Sequence, residues 1–126
     1  MAENREPAGH GRLDVIRTDT DGITVLGVDG EIDHDNVSGL TRALPPAEAA
    51  EGRRVVVDLS RVTFMDSSGV NALITAYQGA RAAGGCLRLV VVRGAVLRTL
   101  QLVGLDTVIP FHPALEEALA ATRPEP

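Results

Sequence analysis

The sequence predicts an α/β fold, a mixed sheet of four to five strands with about four helices packed on it. Three observations carry this prediction. Beyond residue 54, apolar runs of strand length alternate with segments whose apolar residues recur every three or four positions. That alternation is the mark of strand–helix–strand crossovers in a parallel sheet. Near the start, two segments of period-two alternation flank Asp19-Thr20-Asp21-Gly22, which reads as an antiparallel hairpin. Finally, Val55–Leu59 and Leu87–Val92 are apolar on both faces, which suits strands in the middle of a covered sheet.

Taken in order, residues 1–11 are polar and rich in Gly, Pro and charge, and read as a disordered tail. The folded domain is expected over 12–122, with 123–126 as a C-terminal tail. Leu13 and Val15, then Ile23 and Val25, form the hairpin strands. Gly30-Glu31-Ile32-Asp33 leaves the second strand. Asp33, Asp35 or Asn36 then caps a helix whose apolar positions are Val37, Leu40 and Leu44. Pro45-Pro46 ends or kinks it, and Ala47–Glu51 leave room for one more turn before Gly52. After the strand Val55–Leu59 comes an apolar step, Val62-Thr63-Phe64-Met65. A helix from about Ser67 to Ala83 follows, carried by Val70, Leu73, Ile74 and Tyr77 and stopped by Gly84-Gly85. Leu87–Val92 is the next strand. Ala95–Val103 is a helix through Val96, Leu97, Leu100 and Val103, closed by Gly104. Val108-Ile109 reads as a short strand. Pro113 or Ala114 starts the last helix, with Leu115, Ala118 and Leu119.

The chain has 126 residues, which fits one domain. Apolar residues are 44% and charged residues 23%, a globular composition. Aromatics are only 2%, so the core must be built from Val, Leu, Ile and Ala. A net charge of −5 argues against a nucleic-acid partner, whose affinity rests on cations that neutralise phosphate. All twelve basic residues are Arg. Cys86 is alone, so no internal disulfide can form, and its place at the start of an apolar run predicts a buried, inert thiol. Met1–Arg12 has no apolar stretch of the signal-peptide kind. The longest uninterrupted apolar runs, such as Leu89–Val92, are far too short for a membrane span. A cytoplasmic protein with no membrane contact is expected.

Asp66-Ser67-Ser68-Gly69 is the most informative stretch, because it places two hydroxyls where a strand hands over to a helix. The first N–H groups of a helix lack intrahelical partners, and the dipole there is positive, so an anion is welcome. On local chemistry alone these residues read as a simple cap and turn. Other chemistry finds less support. A Ser–His–Asp site needs a base within reach of the serine, yet His10 lies in the tail and His34 and His112 read as exposed loop residues. G-x-S-x-G is absent, as are G-x-G-x-x-G and G-K-[ST], so neither an enzyme nor a cofactor is expected. The Asp19-Thr20-Asp21-Gly22 turn lacks the remaining ligands of a calcium loop. Asp33-His34-Asp35-Asn36 reads as capping rather than as a metal site.

Phe64-Met65-Asp66-Ser67-Ser68-Gly69, with Gly30-Glu31-Ile32-Asp33 upstream, resembles the anti-sigma factor antagonists of the STAS-domain family, over about residues 12–122. The resemblance implies a STAS-like fold and a bacterial partner-switching role without catalysis. It places phosphorylation on the first Ser after the Asp, here Ser67. It makes Asp33, Asp66, Ser67, Ser68, Gly69 and Asn71 partner-facing, and sets the Gly30–Asp33 loop beside the junction in space. Ser68 would cap or help the turn. The implied partner is an anti-sigma factor with serine kinase activity, which binds the ATP itself. A serine phosphatase would reset the switch, and the free protein would be a monomer. Asn71 departs from the family, where many relatives carry Gly or another small residue, and Pro45-Pro46 shortens the first helix. Within the family the alternatives are a stressosome-type scaffold or a detached transporter domain; an enzyme of unknown type is the rival outside it.

Overall fold

In the computed structural model, residues 12–44, 52–92 and 94–123 are described. β1 (Leu13–Thr20) and β2 (Ile23–Ile32) pair antiparallel along the whole of β1. Their turn is Asp21-Gly22, and both residues have positive φ, 54° and 80°, as a two-residue type I′ hairpin requires. Then follow α1 (Val37–Ala43), β3 (Arg54–Met65), α2 (Ser67–Ala82), β4 (Cys86–Val90) and α3 (Ala95–Leu102). A 3-10 turn (Leu105–Thr107), β5 (Phe111–His112) and α4 (Leu115–Thr122) complete the chain. The five strands lie in the order β1-β2-β3-β4-β5, and every pair after the hairpin is parallel.

Strands that join their neighbours in sequence order through right-handed crossovers put the connecting helices on one face. Leu40 of α1, Val70 and Leu73 of α2, and Val96 and Leu100 of α3 accordingly share one core with Leu26, Val55, Val57 and Leu89 of the sheet. Leu40, Leu73 and Leu100 are fully buried, each such burial being worth about 1.5–3 kcal/mol. The chain after β5 has no further strand to reach, and α4 folds back over the opposite face. There Ala118, Leu115 and Leu119 meet Ile23, Val25, Val56 and Val90. Arg123 at the end of α4 reaches Asp21 in the hairpin turn at 3.2 Å.

Four expectations need correction. The strand predicted over Val55–Leu59 extends to Met65 and absorbs the Val62–Met65 step. The polar Ser60-Arg61 pair resembled a break, but two register irregularities against β2, at Gly27/Asp29 and Gly30/Glu31, let β3 continue beside Gly30–Ile32. Gly30 has φ 115°, and a Cβ there would run into the carbonyl oxygen of Arg12. Val108-Ile109 is not a strand: both amides bond to the Leu105 carbonyl, at 3.0 and 2.9 Å, and the strand at that edge is Phe111–His112. Ile109 is fully buried, which explains its strand-like look. His112 is therefore a half-buried strand residue, not an exposed loop residue. Cys86 is likewise only half-buried, at the first position of β4. The Pro45-Pro46 break and the extra turn at Ala47–Glu51 fall outside the described residues.

Candidate functional site

β2 and β3 are parallel neighbours with Ile32 opposite Met65, so both emerge at the same end of the sheet. The two loops that follow, Asp33–Asn36 and the Asp66–Gly69 junction, therefore stand side by side. The Asp66 amide donates to the Ile32 carbonyl at 3.1 Å and fastens them together.

Asp66 is the first residue off the strand and the N-cap of α2. Its backbone is extended (φ −100°, ψ −171°), and its carboxylate accepts the Ser68 amide at 2.8 Å. Its carbonyl accepts from Gly69 and Val70 at 3.1 and 3.3 Å. The cap is thus Asp66, which corrects the first of the two roles expected of Ser68, cap or helper of the turn. Ser67 is the first helical residue and is exposed. Among the described residues its hydroxyl makes no hydrogen bond. No acidic residue lies within the first turn of this 16-residue helix, so only the Asp66 cap offsets its positive end. Asn71, four residues on and exposed, shares the Ser67 face of the helix.

Gly69 is buried for a packing reason. A Cβ there would sit 2.5 Å from Met65 Cγ and 2.9 Å from Ile32 Cγ2. Only glycine lets the helix start lie so close to the paired ends of β2 and β3.

Asp33 is half-buried and tied into its own loop. Its Oδ1 accepts the amides of Asp35 and Asn36 at 2.9 and 3.1 Å. Asn36 replies with Oδ1 to the Asp33 amide at 2.9 Å, while its Nδ2 donates to the Glu31 carbonyl at 2.8 Å. These bonds hold the turn before α1. Asn36 occupies the N-cap position of α1 with no side-chain capping bond of its own. Among the described residues no three His, Cys, Asp or Glu groups converge as metal ligands would.

Both described histidines are engaged elsewhere. His34 faces Asp35 at 3.3 Å. The Arg88 guanidinium lies 3.1 Å from His112 Nε2. Arginine has donors only, so Nε2 must accept and the ring proton sits on Nδ1. Burial, then Arg88, pushes the His112 pKa below the ordinary value of 6.5, with Glu117 pulling weakly the other way. Among the described residues no helix is long and apolar enough to cross a membrane.

One neighbour escaped notice in the sequence. Phe64 is 49% exposed, an unusual state for an aromatic side chain in a chain with so few. It pairs with Glu31 beside the junction. Its outward direction could have been read from strict alternation with buried Met65, had β3 been recognised as reaching that far.

Comparison with known proteins agrees with this architecture. The chain is 32% identical to the anti-sigma-F factor antagonist RsfB of Mycobacterium tuberculosis, over 88% of this chain and 90% of that one. It superposes on the crystal structure of an anti-sigma factor antagonist from Mycobacterium paratuberculosis with a TM-score of 0.80 and 33% identity, covering 90% and 96% of the two chains. The unphosphorylated anti-sigma factor antagonist SpoIIAA shares the fold, with a TM-score of 0.69 at 24% identity over 89% and 96% of the chains. The model of the STAS domain matches residues 15–118, and with five strands, four α-helices and an Asp-Ser-Ser-Gly junction among the described residues, the chain belongs to the STAS domain family.

Proposed function

We propose that this protein is an anti-sigma factor antagonist switched by phosphorylation of Ser67. The unmodified form binds an anti-sigma factor that is also a serine kinase and so frees the sigma factor. That partner brings the ATP and transfers its phosphoryl group to Ser67, the modified protein lets go, and a serine phosphatase restores it. Asp33, Asp66, Ser68, Gly69 and Asn71 form the rest of the contact surface. The named function of the similar mycobacterial proteins supports the first part of this reading.

The observation that carries the second part is the state of the Ser67 hydroxyl. It is exposed at the first position of α2, with no bond to give up because Asp66 does the capping. A phosphate placed there sits at the positive end of the helix dipole beside the Ser67 N–H, the one amide of the first turn that Asp66 does not already engage, so the fold has no reason to open. Its effect falls on the partner. A phosphoserine carries about −1.5 to −2 charges. Two like unit charges about 6 Å apart at an effective dielectric near 20 repel by roughly 3 kcal/mol, about a hundredfold in affinity.

The test combines mapping and binding. Incubation with the anti-sigma partner and Mg-ATP is expected to add one phosphate, located on Ser67 by fragmentation mass spectrometry. Ser67→Ala should still bind the partner, losing about 1 kcal/mol at most, the worth of one neutral hydrogen bond. Ser67→Asp should bind more weakly than Ser67→Ala. Phosphate found only on Ser68 or Thr63, or equal affinities for all three proteins by titration calorimetry, refutes the switch.

A further inference from the structure

A groove of about 720 Å³ opens between α1 and α2, with a floor of Val55 and Leu87 and walls of Val37, Leu44, Ala72 and Ala76. It exists because α1 is only seven residues long and α2 turns small side chains toward it. Its size and apolar lining are those of a small-molecule site, in which a few polar groups fix the ligand's orientation.

Two arginines line this groove, Arg42 and Arg53. Elsewhere Arg12, Arg17, Arg61 and Arg123 each face an aspartate, while Arg81 meets Tyr77 and Arg88 meets His112. Among the described residues neither groove arginine has a carboxylate within ion-pair distance. The one hydrogen bond of the Arg53 side chain runs from Nη1 to Thr24 Oγ1 at 3.1 Å, and that hydroxyl in turn donates to Asp19. Among the described residues Arg53 Nε, like Arg88 Nε, is buried with no acceptor, so a ligand in the groove would meet this guanidinium through its Nη groups. A buried N–H left without a partner is costly, and the group that satisfies a guanidinium best is a planar, acceptor-only carboxylate.

We infer that this groove binds a single-chain aliphatic carboxylate, its chain over Val55 and Leu87 and its head on Arg53. Apolar walls alone would take any hydrocarbon. A cation at such a wall with no carboxylate partner among the described residues, in a protein whose net charge of −5 repels anions at large, selects an acid. Binding at Arg53 does not require Ser67 or its phosphorylation, although the groove shares Ser68 and Asn71 with the proposed contact surface. An acidic lipid headgroup with its acyl chains offers related chemistry, and the test separates the two sources.

The full-length protein is titrated with dodecanoate below its micelle-forming concentration, by calorimetry and by amide chemical shifts. Saturable one-to-one binding is expected, with shifts centred on Val37, Ala72 and Ala76. Dodecan-1-ol should bind at least tenfold more weakly, and Arg53→Gln should cost the acid at least tenfold. Ala76→Phe, which fills the groove and leaves both arginines in the sequence, should abolish binding while leaving the circular dichroism unchanged. It carries the test if Arg53→Gln does not fold. No saturable binding, equal binding of acid and alcohol, or full binding by Ala76→Phe overturns the inference. So does attachment to phosphatidylglycerol vesicles by a protein that ignores monomeric dodecanoate.

Discussion

Exchanging glycine for alanine should have opposite signs at two places in this fold. At Gly69 the new methyl would meet Met65 Cγ at 2.5 Å and Ile32 Cγ2 at 2.9 Å. Neither neighbour can retreat, since Ile32 is 0% and Met65 4% exposed, and their backbones are paired across β2 and β3. Overpacking of this kind costs about 1–3 kcal/mol. Replacing glycine by alanine in a helix returns about 1 kcal/mol at most, and less in the first turn. The steric term wins, and Gly69→Ala should be destabilised by about 1–2 kcal/mol. With a urea dependence of roughly 2 kcal/mol per molar, the unfolding midpoint should drop by about 0.5–1 M. At Gly39, inside α1, the added methyl meets only Leu13 Cδ2 at an ordinary 3.5 Å. Gly39 is also a first-turn residue, so Gly39→Ala should keep the reduced propensity gain and be stabilised by roughly 0.5 kcal/mol. Urea unfolding of the three proteins side by side decides it. A midpoint for Gly69→Ala at or above the wild type would show that the junction is not packed as described.

The other expectations can be checked with the same protein. Because His112 holds its proton less tightly when folded than when unfolded, the unfolded chain takes up more protons as pH falls below about 6.5. Stability should drop from pH 7 toward the lowered folded value and then level off for this group; His112→Gln should lack that component, and identical pH profiles for both proteins would count against the Arg88–His112 arrangement. Asp66→Ala, which removes the cap on the Ser68 amide, should lose about 1 kcal/mol, whereas Asp66→Asn should lose only a few tenths; equal losses would mean that the capping bond contributes nothing. Phosphorylated and unmodified protein should give nearly coincident far-UV circular dichroism, and a large loss of helix signal on phosphorylation would place the switch in unfolding rather than in surface charge.

Most of the fold was legible because its core elements are strongly periodic. The hairpin followed from Asp21-Gly22, and α2 and α3 followed from apolar spacing and terminal glycines. The misreadings occurred where tertiary pairing overrode local pattern. Ser60-Arg61 resembled a loop because a register irregularity leaves polar residues in mid-strand, which no single strand can announce. Val108-Ile109 resembled a strand because Ile109 is buried, yet it reaches the core from just after a 3-10 turn, with its amide on the Leu105 carbonyl. The state of His112 depended on Arg88, a residue 24 positions away, and so was invisible to any local reading.

The site shows how one such misreading propagates. Asp and Ser are comparable N-caps, so local chemistry could not say which of Asp66, Ser67 or Ser68 caps α2. What decides is where β3 ends. Because β3 runs to Met65, Asp66 is the first residue free to take extended N-cap geometry, and Ser67 falls at a position whose side chain the helix does not need. Had the strand stopped one residue later, Ser67 would be the cap and its hydroxyl would be committed to the backbone. The same register sets Ile32 against Met65, which brings the Asp33 loop to the junction and forces glycine at position 69. The irregularities that lengthen β3, and the positive-φ Gly30 opposite them, thus determine that a serine is presented bare at the start of a helix, with acidic residues on both neighbouring loops.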